Sequence, residues 1–265
     1  MNLKASSRLQ AERIVEVRDL DKSFAVEGRE LEALKGVSLA VNAGEFVSLL
    51  GPSGCGKTTL LNIIAGLVPR TAGTVLFKSL LHERPRRDVG MMFQSPVLLP
   101  WRTVEQNILL PAEILHLNMD EMRNRVREVL DLVGLSGFKD QRPSQLSGGM
   151  AQRVALCRLL VFDPDMLLMD EPFGALDEFT REAMDMELLR VWGTTSKTVI
   201  FVTHNITEAV LLSDRVVVMT PRPGRIADIV TPDLPRPRTP EMLGSESLIR
   251  CVQQIRSTLG VAELT

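Results

Sequence analysis

The stretch Gly51-Pro52-Ser53-Gly54-Cys55-Gly56-Lys57-Thr58-Thr59 constrains this chain more than any other. It satisfies G-x-x-x-x-G-K-[ST] at every fixed position. Glycines at 51, 54 and 56 allow a tight turn whose N–H groups converge on one point. A helix opening near Lys57 would add its unpaired amides and the positive end of its dipole. Lys57 is then placed for β- and γ-phosphate charge and the Thr58 hydroxyl for Mg²⁺. The flanks agree with this reading. Phe46-Val47-Ser48-Leu49-Leu50 is a short apolar run suited to a buried strand, and Leu60, Leu61, Ile63, Ile64 and Leu67 fall at helical spacing.

Composition sets the limits. The 265 residues suffice for one large domain with a lobe, and 45% hydrophobic with 24% charged residues is ordinary for a globular chain. A net charge of −2 gives no reason to expect nucleic acid, and Arg84, Arg86 and Arg87 read as a solvated face. No run approaches the roughly 18 apolar residues that cross a bilayer, and Met1 to Glu12 lacks an apolar signal core, so a cytoplasmic protein is expected. Cys55, Cys157 and Cys251 lie too far apart for a disulfide framework or a zinc site.

Taken in order, residues 1–13 read as a disordered tail. Short β-type runs at Ile14–Val17 and Gly36–Val41, with turns at Gly28 and Asn42-Ala43-Gly44, predict a small antiparallel sheet. Ala72–Phe77 and Val89–Phe93 predict further strands. From Ser95 the texture changes: Pro96, Pro100 and Pro111 punctuate an irregular stretch, then Met119 to Val133 is amphipathic. Residues 95–145 thus read as a mainly helical subdomain inserted in an α/β core. Helices are predicted over Ala151–Phe162 and Thr180–Trp192, and strands over Met166–Met169, Thr198–Val202 and Val216–Met219. This alternation predicts a mostly parallel sheet with helices on both faces, ending near residue 230. A proline- and arginine-rich extension, 231–265, is expected to pack on the core and close in an amphipathic helix.

The apolar run Met166–Met169 delivers Asp170-Glu171 at its carboxyl end, where a parallel strand presents functional groups. Asp170 is placed to hold Mg²⁺ through water, and Glu171 to polarise an attacking water.

Leu146-Ser147-Gly148-Gly149-Met150 separates the classes that share such a loop. With it the chain resembles the ATP-binding cassette (ABC) ATPases, whose signature is a Leu-Ser-Gly-Gly-x stretch opening a helix. The resemblance runs from about Ile14 to Met219 with the family's motifs in order. Physically, Ser147, Gly148 and Gly149 form a second anion nest that one nucleotide in one compact domain cannot fill. The family's arrangement is a head-to-tail dimer with two ATPs sandwiched in a symmetric interface. By the same resemblance Phe24 stacks on adenine, although alone it reads as a core or rim aromatic. Gln94 touches Mg²⁺ and the water, Asp177 in Gly174-Ala175-Leu176-Asp177 crosses the dimer interface, and His204 contacts the γ-phosphate. Gly174, where the family often has Ser, Asn205 after His204, and Cys157 with Leu159 depart from the usual pattern. They are expected to bear on dimer packing.

An apolar-poor start and no spanning run require separate integral membrane permease subunits if the chain serves transport. Phe93 to Pro111 and Val218 to Arg225 resemble the nitrate/sulfonate/taurine branch of importer ATPases, with relatives that move pyrimidine precursors. That implies a homodimer on the inner face of the cell membrane, served indirectly by a solute-binding protein. Leu98 and Trp101 read equally as core or as an apolar anchor for the permease. The alternative is an ABC ATPase acting on nucleic acid or ribosomes, which usually carries two cassettes or a coiled-coil insert. A GTPase is disfavoured because no Asn-Lys-x-Asp run occurs. Cys55 stands inside the loop beside its amides; a reactive thiol and a small packed residue are both open readings.

Overall fold

The computed structural model describes residues 12–260. Two sheets organise it. The first is antiparallel: β1 (Arg13–Val26), β2 (Arg29–Asn42), β4 (Ala72–Phe77) and β5 (Leu80–Leu81) lie in the order β2-β1-β4-β5. The second contains β3 (Phe46–Leu50), β6 (Val89–Met92), β7 (Met166–Asp170), β8 (Thr198–Thr203), β9 (Arg215–Met219) and β10 (Ile226–Val230), in the order β10-β9-β3-β8-β7-β6. Its first five strands in chain order pair in parallel, and β10 runs antiparallel to β9.

The period-2 geometry of the parallel strands divides the core into two layers. Val47, Leu49, Leu168, Ile200, Val202 and Val217 face α1 (Lys57–Ile64) and the antiparallel sheet. Phe46, Leu50, Leu167, Met169, Val199, Phe201, Val216 and Val218 face α4 (Gly148–Leu160), α5 (Glu178–Thr195), α6 (Ile206–Leu212) and α7 (Glu246–Thr258). Burial on both faces is why these strands read as continuous apolar runs. Ser48 is the exception inside β3, and it is satisfied by the Ser213 hydroxyl.

The expected tail lies outside the described residues up to residue 11, and Arg13 already opens β1. β1 and β2 are 14 residues each, longer than the apolar runs suggested. Register shifts near Val17, Leu20 and Lys22 re-aim the side chains, so the polar segment Arg18–Lys22 stays in the sheet while losing its alternation. Glu27 and Gly28, both at positive φ (49° and 76°), form the two-residue link that the strands' twist requires.

Residues 95–145 hold a helix that the prolines concealed. This is α2 (Val104–Ile114), with Pro111 inside it. The Thr103 hydroxyl accepts from Gln106 N–H (3.3 Å) while the Gln106 side-chain Oε1 accepts from Thr103 N–H (3.0 Å). That capping box, with buried Val104, Ile108, Leu109 and Ala112, outweighs the lost backbone bond. α2 packs on α3 (Met119–Leu132) and on α4.

β10 is likewise a strand that composition hid behind Pro221 and Pro223. After it, Arg236 donates to Leu212 C=O and Asp214 (both 2.8 Å) and stacks 4.1 Å from the Trp192 ring. Buried Arg238 donates to the carbonyls of Val210, Leu211 and Ser213. The two guanidiniums thereby serve the carbonyls that the end of α6 leaves unpaired. The extension is fastened to the core, and α7 covers it.

Candidate active site

Adjacent strands β3, β8, β7 and β6 deliver their loops to one end of the sheet, where open α/β sheets gather ligands. The loop after β3 comes first. Gly54 (φ 75°) and Gly56 (φ 106°) adopt conformations that L side chains rarely take. A Cβ on Gly56 would also lie 2.7 Å from Leu34 Cδ2 and 3.0 Å from Ala33 C=O. The backbone therefore turns as only glycine permits, and α1 starts at Lys57 with no side chain capping its amides. The Lys57 ammonium donates to Gly51 C=O (2.7 Å) and Pro52 C=O (3.1 Å), arching over the loop. A cavity of about 530 Å³ opens beside it, lined by Phe24, Lys57, Thr58, Thr59, Glu171 and Arg222 among others. Phe24 contributes an aromatic face on β1, with Lys22 Nζ 4.5 Å from its centroid.

β7 ends at this cavity. Thr58 Oγ1 donates to Asp170 Oδ1 at 3.0 Å, so a hydroxyl and a carboxylate present oxygens side by side. Burial raises the Asp170 carboxyl above its ordinary range; the Thr58 bond opposes this, the Glu171 charge adds to it, and Lys57 opposes it. Glu171 has φ 45°, an unfavourable backbone region for a non-glycine residue, held by its N–H bond to Val202 C=O (3.0 Å). That twist turns its carboxylate to His204 Nδ1 at 3.1 Å.

Gln94, just after β6, closes the group. Its carbonyl accepts from Gln152 Nε2 (2.9 Å). Its amide lies close to Gly174, since a Cβ there would be 3.4 Å from Gln94 Nε2 and 3.5 Å from Glu171 Oε2. Both are ordinary contacts, so a Cβ at this position would be accommodated. The segment beyond Gln94 is anchored from below. Arg158 donates to Pro96 and Val97 carbonyls (2.6 and 2.8 Å), and buried Asn107 bonds the backbone of Leu99, Arg102 and Thr103. Above these supports Trp101 is 69% exposed, with Val97 and Phe93 also exposed, while Leu98 packs on the core.

Ser147, Gly148 and Gly149 do not line this cavity. The Ser147 hydroxyl accepts from Met150 N–H (3.2 Å) and caps α4. Gly148 and Gly149 lie against Leu176 and Thr180, and Asp177 caps α5 by accepting from Thr180 N–H (3.0 Å) and its hydroxyl (2.7 Å). Those two bonds, the hydroxyl's first, hold the exposed Asp177 carboxyl below its usual range.

The structure bears on the cysteine readings. Cys55 is 1% exposed, its sulfur turned towards Gly51 and Lys57, which favours the packed reading. Cys157 and Leu159 are also buried. Cys157 Sγ donates to Val129 C=O (3.3 Å) between α4 and α3, and Leu159 packs over Gly90. These departures adjust the subunit's own core, and a dimer surface is not involved.

The sequence reading missed Gln152, Arg158 and Asn107, whose roles depend on backbone groups that only tertiary packing brings near. It also missed Arg222, which donates to Gly54 C=O from Nε (3.2 Å) and Nη2 (3.1 Å). Its Pro-Arg-Pro-Gly-Arg surroundings were visible in sequence, their place beside the loop was not.

The chain is similar to proteins of known families. The chain is 42% identical to the aliphatic sulfonates import ATP-binding protein SsuB of Bacillus cereus, over 85% of this chain and 88% of that one. It is 46% identical to the taurine import ATP-binding protein TauB of Roseobacter denitrificans, over 79% of each. Among solved structures, the dimeric post-hydrolysis state of the ATP-binding cassette MJ0796 bound to ADP and Pi superposes with a TM-score of 0.72 at 33% identity, over 82% of this chain and 98% of that one. The family described as ABC transporter matches residues 34–174. With that match spanning the loop, the signature and the paired acids, the chain belongs to the ABC transporter family, as one of its ATP-binding, ATP-hydrolysing subunits.

Proposed function

We propose that this subunit powers uptake of a small solute, of the sulfonate or taurine kind, through separate membrane permease subunits. The observation that carries the reading is one cavity lined by Lys57, Thr58 and Glu171, with Asp170 bonded to Thr58 and His204 to Glu171, in a chain whose relatives are named as import ATP-binding proteins. ATP would lie with adenine against Phe24 and its phosphates in the loop amides of Gly51 to Thr59. Thr58 and Asp170 offer the hard oxygen donors that Mg²⁺ takes, and a buried carboxyl beside a second acid gains from a cation. Mg²⁺ bound there would neutralise phosphate charge.

In hydrolysis the Glu171 carboxylate takes the proton of the attacking water, while His204 Nδ1 fixes that carboxylate's direction. Lys57 balances charge on the transferred phosphoryl group. Gln94, coupled through Gln152 to α4, carries the state of the γ-phosphate towards the segment that exposes Val97 and Trp101. That segment is the face offered to a cytoplasmic helix of the permease. Ser147–Gly149 would complete the partner protomer's site in a head-to-tail homodimer. No helix among the described residues is long and apolar enough to cross a membrane, so attachment at the inner face would come through the permease. A solute-binding protein would supply the cargo from outside.

Co-expression with candidate permease subunits from the same genome tests this. Copurification, with transport-linked ATP turnover abolished by Glu171→Gln, is the expected outcome. Turnover by a chain that never associates with a permease would favour an ABC ATPase of nucleic acid or ribosomes instead.

A further inference from the structure

Of the residues lining the nucleotide cavity, two are cations: Lys57 and Arg222. Lys57 belongs to the phosphate loop. Arg222 comes from the turn joining β9 to β10, about 165 residues later, and the sequence motifs give it no role.

That turn is built rigidly onto the loop. Thr220 N–H donates to Arg225 C=O (2.9 Å), the Thr220 hydroxyl donates to Pro223 C=O (3.2 Å), and Arg225 N–H donates back to that hydroxyl (3.0 Å). Gly224 is clasped by β2, donating to Ala33 C=O (2.9 Å) and accepting from Lys35 N–H (3.0 Å). A Cβ on Gly224 would stand 2.0 Å from Cys55 C=O, so the turn lies directly on the phosphate loop. Arg222 is thus held at a fixed place in the cavity wall.

Its guanidinium spends Nε and Nη2 on a single acceptor, Gly54 C=O, and Nη1 has no protein partner among the described residues. Guanidinium has five N–H donors in a planar fork, suited to anionic oxygens. Lys57 shows the same habit, resting on carbonyls of the same loop while lining the same cavity. The one acid in that lining is Glu171.

We propose that Arg222 is a second phosphate-binding cation of this subunit, contacting the phosphate chain of the bound nucleotide. It would clamp Gly54 in the loop and lend its remaining donors to phosphate oxygens. The inference rests on the cavity being the ATP site, which wild-type binding tests separately.

The experiment measures binding of fluorescent ADP and ATP, with Mg²⁺, to the wild-type protein, Arg222→Gln and Arg222→Lys across a salt series. Loss of one charge-assisted contact predicts about tenfold weaker binding for Arg222→Gln. Arg222→Lys, keeping the charge but not the fork, should recover part of it, and the salt dependence should be shallower in Arg222→Gln. Wild-type affinity in Arg222→Gln overturns the proposal. So does equal weakening in both variants with an unchanged salt dependence, which marks a loop clamp only. Wild-type protein that binds neither nucleotide would instead sink the ATP-site reading itself. Should Arg222→Gln fail to fold, phenylglyoxal labelling of Arg222 in the wild type decides, read by mass spectrometry. ADP should protect the residue and adenosine should not; labelling unaffected by ADP counts against the contact.

Discussion

Two helices of this protein open on glycine-rich segments, and they are built for different ends. α1 follows Gly54-Cys55-Gly56, has no side chain on its first amides, and faces a cavity already furnished with Lys57, Thr58 and Glu171. α4 follows Leu146-Ser147, has its hydroxyl occupied as a cap, and lies outside that cavity. One property unites them. The other five α-helices carry an Asp or Glu in the first turn, which offsets the positive end of the dipole, and α1 and α4 carry none. On the proposed reading both starts would reserve their field for an external anion, the first as a whole site and the second as a fragment completed by another protomer.

The largest effect should come from the acid that acts where the two starts would meet on one nucleotide. Glu171→Gln is expected to lower ATP turnover by about 10²–10⁴-fold while gel filtration with ATP shows more dimer than the wild type. Hydrolysis near the wild-type rate would remove Glu171 from the chemistry. Next, Lys57→Ala should weaken nucleotide binding to the isolated subunit by roughly 10²-fold, from two or so charge-assisted contacts. Gly149→Asp puts a carboxylate at the start of α4 and sharpens the contrast. Monomer ADP affinity should match the wild type, measured by titration, while ATP-induced dimer and turnover disappear. Weakened ADP binding in that variant would place α4 in its own subunit's site and collapse the distinction.

A subtler test concerns the joint between the halves. Asp185 on α5 and Glu208 on α6 are buried together, between the helix capped by Asp177 and the one following His204. The Thr203 hydroxyl donates to Glu208. Burial, then the Glu208 charge, push the Asp185 carboxyl up to about 9, and burial raises Glu208 too. A folded-state carboxyl raised above its unfolded value holds its proton longer than the unfolded chain does. Its stabilisation is complete below the ordinary carboxyl range and is lost as pH climbs towards 9. Urea unfolding between pH 6 and 8 should show wild-type stability falling, by at most about 1.4 kcal/mol per pH unit for one proton. Asp185→Asn should flatten that slope; parallel slopes would mean the pair does not share a bound proton. Smallest of all, Gly174→Ser should shift stability by no more than about 0.5 kcal/mol, because its new Cβ meets Gln94 and Glu171 at ordinary contact distances.

What sequence reading could reach was local. Phe46–Leu50, the glycines after it, and Asp170-Glu171 behind Met166–Met169 each carry their structural context within a dozen residues. The order of strand, loop and acid followed from that. What escaped it depended on distant partners. α2 survives Pro111 because α4 buries its apolar face, and β1 continues through Arg18–Lys22 because bulges keep it paired with β2 and β4. Asn107 and Arg158 act on backbone carbonyls, which are identical in every sequence. Arg222 reaches the loop only because Gly224 lets one backbone lie on another.

The two guanidiniums at the close of the ABC core bear on how far the catalytic machinery extends along the chain. α6 hangs from His204, and its last carbonyls are held by Arg236 and Arg238, with Asp214 and Trp192 steadying the first of these. A protein cut before Arg236 would retain each residue of the cavity yet lose the ballast beneath the histidine. Its sites would be intact in composition and loosened in aim, so the arginine extension belongs to the foundations of the engine, not to its casing.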